Sequence, residues 1–198
     1  MTFPILNVRW HGRGGFGVKT AALLLAEAVI EAGGYAQASP EFGPERRGAP
    51  VQAYTRIAPY PIRRRGAVEQ PDAVVVLDHR LLVVPEVLRG IRPGTWVVVN
   101  APRPVRAVGV PLEQVVTVDA SGIARRVLGR DMPNIAMMAA VAVDIVGLPA
   151  EAFLRWLEER LRREFPEEMA AANVWIAREA IEEGRKWRFA GRPLTAAL

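Results

Sequence analysis

Three short stretches of the chain are β-branched and almost wholly apolar: Ala73-Val74-Val75-Val76-Leu77, Trp96-Val97-Val98-Val99 and Val115-Val116-Thr117-Val118. Each ends in a polar residue, Asp78, Asn100 and Asp119 in turn. Runs of this length without alternation predict strands buried on both faces, as in a parallel sheet covered on both sides. Between the first two, Arg80–Arg89 has a helical composition in spite of Pro85, and Arg92-Pro93-Gly94 turns the chain. That order is strand, helix, strand, which predicts an open α/β sheet.

Other segments alternate. Ile5-Leu6-Asn7-Val8-Arg9-Trp10 switches between apolar and polar positions, as a short strand does, and Ala21 to Ala32 then reads as an Ala- and Leu-rich helix. Val51–Ile57 alternates as a half-exposed strand, with Tyr60–Arg64 as its expected hairpin-like partner. Residues 40–50 carry three prolines and two glycines and predict a loop. Ala101–Gln114 is a Pro-rich connection.

From Asn134 the period becomes helical. Asn134 is placed to cap a helix through Ile135–Val141 that stops near Gly147. Leu154, Leu157, Leu161 and Phe165 share one face of the next helix. A last helix runs from about Pro166 to Gly184 and carries Asn173. The expected architecture is α/β: an open, mostly parallel, Rossmann-like sheet flanked by helices, with a helical C-terminal part. Residues 1–198 form one domain, with a sheet core over about 4–130 and helices over about 134–190.

A glycine-rich turn joins the first strand to the first helix: Trp10-His11-Gly12-Arg13-Gly14-Gly15-Phe16-Gly17-Val18-Lys19-Thr20. Gly12, Gly14 and Gly17 have the G-x-G-x-x-G spacing. Such a turn lets the backbone approach a pyrophosphate at a helix N-terminus, where N–H groups and the dipole favour anions. It equally serves a helix that packs tightly on its strand, and the glycines do not choose between the two. In open sheets ligands bind beyond the carboxyl ends of the strands, where Gly12, Asp78 and Asn100 fall. An NAD site would add an acid at the end of the second strand. Here that stretch is Tyr35-Ala36-Gln37-Ala38-Ser39, and Glu41 follows only after Pro40, which argues against NAD and against a free-standing dinucleotide enzyme.

Composition narrows the chemistry further. The chain has 198 residues, 51% of them hydrophobic and 24% charged, which fits a globular domain. No apolar run approaches the roughly 18 residues of a membrane span, and the N-terminus lacks a signal-peptide pattern. A cytoplasmic location with no membrane contact is expected. There is no cysteine, which excludes disulfides, thiolate catalysis and cysteine-ligated clusters within the chain. His11 and His79 lack metal-site spacing, so no metal ligand is assigned. No Ser/His/Asp grouping is legible, and no catalytic residue is assigned. Net charge is +5 and all basic residues but Lys19 and Lys186 are Arg. They are spread along the chain. The one dense run, Arg63-Arg64-Arg65, reads as a solvated or partner-facing edge in preference to a nucleic-acid site. In the 40–50 loop, Glu45, Arg46 and Arg47 between Pro44 and Gly48 form either a surface ion pair or a guanidinium presented to a phosphate or a neighbouring subunit.

These pieces together resemble the γ subunit of 2-oxoacid:ferredoxin oxidoreductases, closest to the pyruvate synthase type. The resemblance rests on Arg9–Gly17, Ser39–Pro50 with its Glu45-Arg46-Arg47-Gly48, Asp72–Asp78, Asn100, Asn134 and Asn173, in order over essentially the whole chain. One departure is Phe16, where the family usually carries Gln. The resemblance implies a multi-subunit enzyme that decarboxylates a 2-oxoacid, most simply pyruvate, with coenzyme A, giving acyl-CoA, CO₂ and reduced ferredoxin. It implies α, β and δ (ferredoxin-like) partner subunits. Thiamine diphosphate, Mg and the 4Fe-4S clusters then belong to those partners. This chain would contribute to coenzyme A binding and assembly. The positions carried over for that role are Gly12, Arg13, Gly14, Gly15, Gly17, Lys19, Thr20, Glu45, Arg47, Gly48 and Asn100. A purely structural role, or service to a branched-chain, 2-oxoglutarate or aryl 2-oxoacid enzyme, stays open.

Overall fold

The unalternating runs form adjacent parallel strands at the centre of a six-stranded sheet. The structure is a computed structural model, and it describes residues 3–41 and 49–186. In chain order the elements are β1 (Leu6–Arg13), α1 (Val18–Glu31), β2 (Tyr35–Pro40), β3 (Pro50–Ala58), β4 (Ala73–Val76), β5 (Trp96–Asn100) and β6 (Val115–Val118). Four helices follow: α2 (Ala120–Leu128), α3 (Asn134–Ala140), α4 (Ala150–Arg162) and α5 (Glu167–Lys186). The sheet order is β2-β3-β1-β4-β5-β6. Strands β1, β4, β5 and β6 are mutually parallel, and β3 is antiparallel to both β1 and β2. The sheet is therefore mixed, mostly parallel, and flanked by helices.

Its two faces are covered differently. On one, Val8, Trp10, Val75, Leu77, Val98 and Val116 pack into a core with residues of all five helices. Trp10 donates its indole N–H to Thr55 Oγ1 at 3.0 Å, and Thr55 donates onward to the Ala22 carbonyl at 2.9 Å. A large apolar ring thus keeps its polar end satisfied while tying β1, β3 and α1 together. On the other face Val74, Val76, Val97 and Val99 meet Leu81, Val87, Ala101 and Ala107. Among the described residues no α-helix covers them: the segment expected to be helical, Arg80–Arg89, makes two 3₁₀ turns, His79–Val83 and Pro85–Leu88. Pro85 lacks an N–H and forces Val84 into an extended conformation (φ −86°, ψ 117°), so a continuous helix cannot pass.

Further expectations are corrected. Tyr60–Arg64 forms no strand; β3 takes β2 as its outer partner instead, and Pro59 and Pro61 remove two donors from the supposed hairpin. Asn134 is the first residue of α3 and makes no capping bond, because the N-cap position falls on Pro133. Its helix continues through a π turn, Val141–Ile145, to Gly147. Phe165 is 44% exposed while Leu154, Leu157 and Leu161 are buried; α4 ends at Arg162, so the helical register no longer carries Phe165 inward. Helix α2 was not legible as a helix. It is short, and its start is set by Asp119, whose carboxylate accepts from the Gly122 N–H at 2.9 Å.

Candidate functional site

The glycine turn leaves the carboxyl end of β1 and enters α1. Gly12 is required by contact: a Cβ there would lie 2.5 Å from Val18 Cγ2 and 3.2 Å from Leu77 Cβ. Gly17, at the α1 N-cap, has φ +71°, and a Cβ would strike the Asn134 side chain at 2.6 Å. Two backbone bonds shape the loop between them, Gly14 N–H to the Ala49 carbonyl at 2.9 Å and Phe16 N–H to the Arg13 carbonyl at 3.0 Å. Neither a side-chain cap nor an acid in the first turn of α1 offsets its positive end. The packing role is the one these contacts carry. The turn lets α1 lie close on β1 and β4, and it leaves the positive end of α1 without a side-chain cap.

Beside the turn, Asp78 follows β4 and is buried. Its Oδ2 accepts from Arg13 Nε at 2.6 Å and from Arg80 Nη2 at 3.0 Å, while Oδ1 accepts from Arg80 Nε at 2.8 Å and from the Arg80 N–H at 3.1 Å. Burial opposes the charge on this carboxyl, but the hydrogen bonds from Arg80 and Arg13 outweigh it and hold it below the usual carboxylate range. One buried carboxylate thus fixes two guanidinium groups at the mouth of the crevice, and the Arg80 side chain is two-thirds exposed there (66%).

Asn100 closes β5 and is buried. Its Nδ2 donates to the Leu77 carbonyl and to Ser121 Oγ, both at 2.8 Å, and its Oδ1 accepts from the Ser121 N–H at 3.0 Å. These bonds tie the ends of β4 and β5 to the start of α2. Asn100 therefore builds the wall of the crevice and spends its amide on the chain itself. The crevice has a volume of about 320 Å³ and is lined by Phe16, Asp78, Arg80, Asn100, Ser121 and Arg125, among others.

The site residues expected from sequence divide among three places. Asn100 lines this crevice, and Arg13 is bonded to its lining residue Asp78. Gly12, Gly14, Gly15 and Gly17 form the ridge beside it. Lys19 and Thr20 line a different, largely apolar groove of about 350 Å³ between α1 and the C-terminal helices, with Leu23, Asn134, Phe165 and Asn173. Glu45, Arg47 and Gly48 lie outside the described residues. Sequence reasoning missed Arg80, Ser121 and Arg125. The Asp78-His79-Arg80 tripeptide closing a buried strand carried a signal for the first; the other two stand on a helix that was not recognised.

The His11 ring is engaged within β1. Its Nε2 accepts from Arg9 Nε at 3.0 Å, and burial, reinforced by the Arg9 charge, pushes its pKa down to about 3. It is a neutral acceptor. Among the described residues no group of three or more His, Cys, Asp or Glu side chains is placed to hold a metal ion. Nor is any helix among them long and apolar enough to cross a membrane.

A glycine turn at a helix terminus beside an arginine–carboxylate clamp can serve many proteins, so comparison with known proteins decides the family. The family model described as pyruvate ferredoxin/flavodoxin oxidoreductase matches residues 7–183. The chain belongs to that family. It corresponds to the gamma-type subunit over nearly its whole length. It is 40% identical to the pyruvate/ketoisovalerate oxidoreductases common subunit gamma of Thermococcus litoralis, across 90% of this chain and 97% of that one. The crystal structure of the pyruvate oxidoreductase subunit PORC from Thermotoga maritima superposes with a TM-score of 0.75 at 36% identity, covering 92% of this chain and 97% of that one. A 2-oxoglutarate:ferredoxin oxidoreductase from Magnetococcus marinus, with 2-oxoglutarate, coenzyme A and succinyl-CoA bound, shares the fold at 19% identity. Its TM-score is 0.71, over 95% of this chain and 32% of that one. In this gamma-type subunit the family match spans the glycine turn, the Asp78 clamp and Asn100 together.

Proposed function

We propose that this chain is the gamma subunit of a cytoplasmic, multi-subunit 2-oxoacid:ferredoxin oxidoreductase and that it supplies part of the coenzyme A site. The observation that carries this reading is the uncapped α1 terminus at Gly17 standing beside Arg13 and Arg80, both anchored on Asp78. Coenzyme A carries phosphate groups, and helix N–H groups with fixed guanidinium groups are the chemistry that holds phosphates. The enzyme's α, β and δ subunits hold thiamine diphosphate with Mg and the 4Fe-4S clusters, and ferredoxin takes the electrons. The gamma chain provides no acid, base or nucleophile. Its residues position and neutralise the cosubstrate.

Pyruvate is the substrate this reading favours, because the PORC relative is a pyruvate oxidoreductase subunit. The Thermococcus gamma subunit is named as common to pyruvate and ketoisovalerate enzymes, which supports placing the choice of 2-oxoacid in other subunits. The separate groove at Lys19 and Thr20 is largely apolar and suits an apolar segment of a ligand better than its phosphates. Hydrogen exchange of the assembled enzyme tests the placement. Saturating coenzyme A should slow exchange of the amides of residues 14–20. Protection confined to other subunits favours the competing reading of an assembly-only subunit, which the intrachain saturation of Asn100 also suits.

A further inference from the structure

At the other end of the sheet, where β1 begins, the structure holds a second cationic cavity. It has a volume of about 390 Å³ and is lined by Asn7, Arg56, Arg64, Glu69, Gln70 and Arg92, among others. Asn7 is the second residue of β1 and Arg56 pairs with it across β3. Six residues of extended chain separate Asn7 from Arg13, about 20 Å, so this cavity is distinct from the crevice at the glycine turn.

Arg56 is its unusual member. It is 5% exposed, and its Nη2 donates to the carbonyls of Gly66 and Ala67 at 2.9 and 3.0 Å. Its Nε and Nη1 are closed from solvent and find no acceptor among the described residues. No carboxylate among those residues pairs with it. Asp72, the nearby acid, is taken by Arg92 at 3.0 Å and by the Asn7 N–H at 2.8 Å. Arg64 adds a like charge: burial first, and then the field of Arg64, makes Arg56 less basic than an ordinary arginine. A buried guanidinium with two unused donors and a second cation facing it is a costly arrangement without an anion. Glu69 also lines the cavity but leaves positive charge in excess.

We propose that this cavity is an oxyanion site for the phosphate group of a small molecule, with Arg56 and Arg64 as its cationic ligands. The Arg63-Arg64-Arg65 run then has a specific task at its middle residue, which an evenly solvated edge does not require. Arg56 lines the cavity from its buried side and Arg64 from its exposed side. The site stands independently of the coenzyme A reading.

Isothermal titration of the full 198-residue chain with inorganic phosphate, at constant ionic strength against chloride, tests it. Arg64→Gln should remove one bound phosphate or weaken it at least tenfold, and Arg80→Gln should leave that phosphate in place. Arg56→Gln should act like Arg64→Gln; because Arg56 is buried, the exposed Arg64 variant decides if the former does not fold. Phosphate binding no stronger than chloride, or equal stoichiometry and affinity in the parent chain and Arg64→Gln, overturns the proposal.

Discussion

His11 accepts a hydrogen bond from Arg9 in the interior of β1, and its lowered pKa has a consequence for stability. In the unfolded chain it titrates near the ordinary value of about 6.5. As pH falls from there towards about 3, the unfolded state takes up a proton that the folded state refuses. Stability is therefore lost progressively across that window as pH falls. Urea unfolding of His11→Gln should show a flatter pH dependence between those limits than the parent chain; parallel curves would contradict the assignment. Gly12 carries a second residue-scale prediction. Gly12→Ala places a methyl 2.5 Å from Val18 Cγ2 and should lower stability by about 1–3 kcal/mol, read as a drop in Tm. The glycine spacing was legible in the sequence, and so was the polar parity of Arg9. What parity could not supply was burial. Arg9 donates to His11 and to the carbonyls of Val68, Val87 and Arg89, so segments far along the chain close over a polar strand face. No local pattern in β1 announces those partners.

The central strands were legible as elements because their apolar runs match strands buried on both faces. What covers the second face was not, since a helical composition across Pro85 gave way to two 3₁₀ turns. Helix α2 escaped for a related reason: nine residues with Ser121 and Gly122 in the first turn have weak intrinsic helicity and depend on their cap and on packing. Asp119→Ala removes the carboxylate that accepts from Gly122 and should cost about 1 kcal/mol in denaturant unfolding. The same substitution should loosen the Ser121 backbone that holds Asn100, so a variant of unchanged stability would remove both roles from Asp119.

At the scale of the molecule, all five helices share one core on one face, and the carboxyl ends of the parallel strands open the crevice that the glycine turn borders. The absence of cysteine was legible at once; the position of the acid was not, because Pro40 belongs to β2 and Glu41 follows it directly, accepting from the Tyr54 hydroxyl at 2.7 Å, and β3 separates β2 from β1. The split of Lys19 and Thr20 from Arg13 and Asn100 could not be read in advance, because it depends on how α1 packs beside the C-terminal helices while Arg13 and Asn100 stand at strand ends. The central claim is that the Asp78-anchored arginines hold coenzyme A for an active site built by other subunits. It is tested most directly by steady-state acyl-CoA formation in the assembled enzyme carrying Arg80→Ala. The account predicts a KM for coenzyme A raised about tenfold, in line with the loss of one charge-assisted phosphate contact, with kcat and the KM for the 2-oxoacid little changed. An unchanged KM for coenzyme A would contradict it.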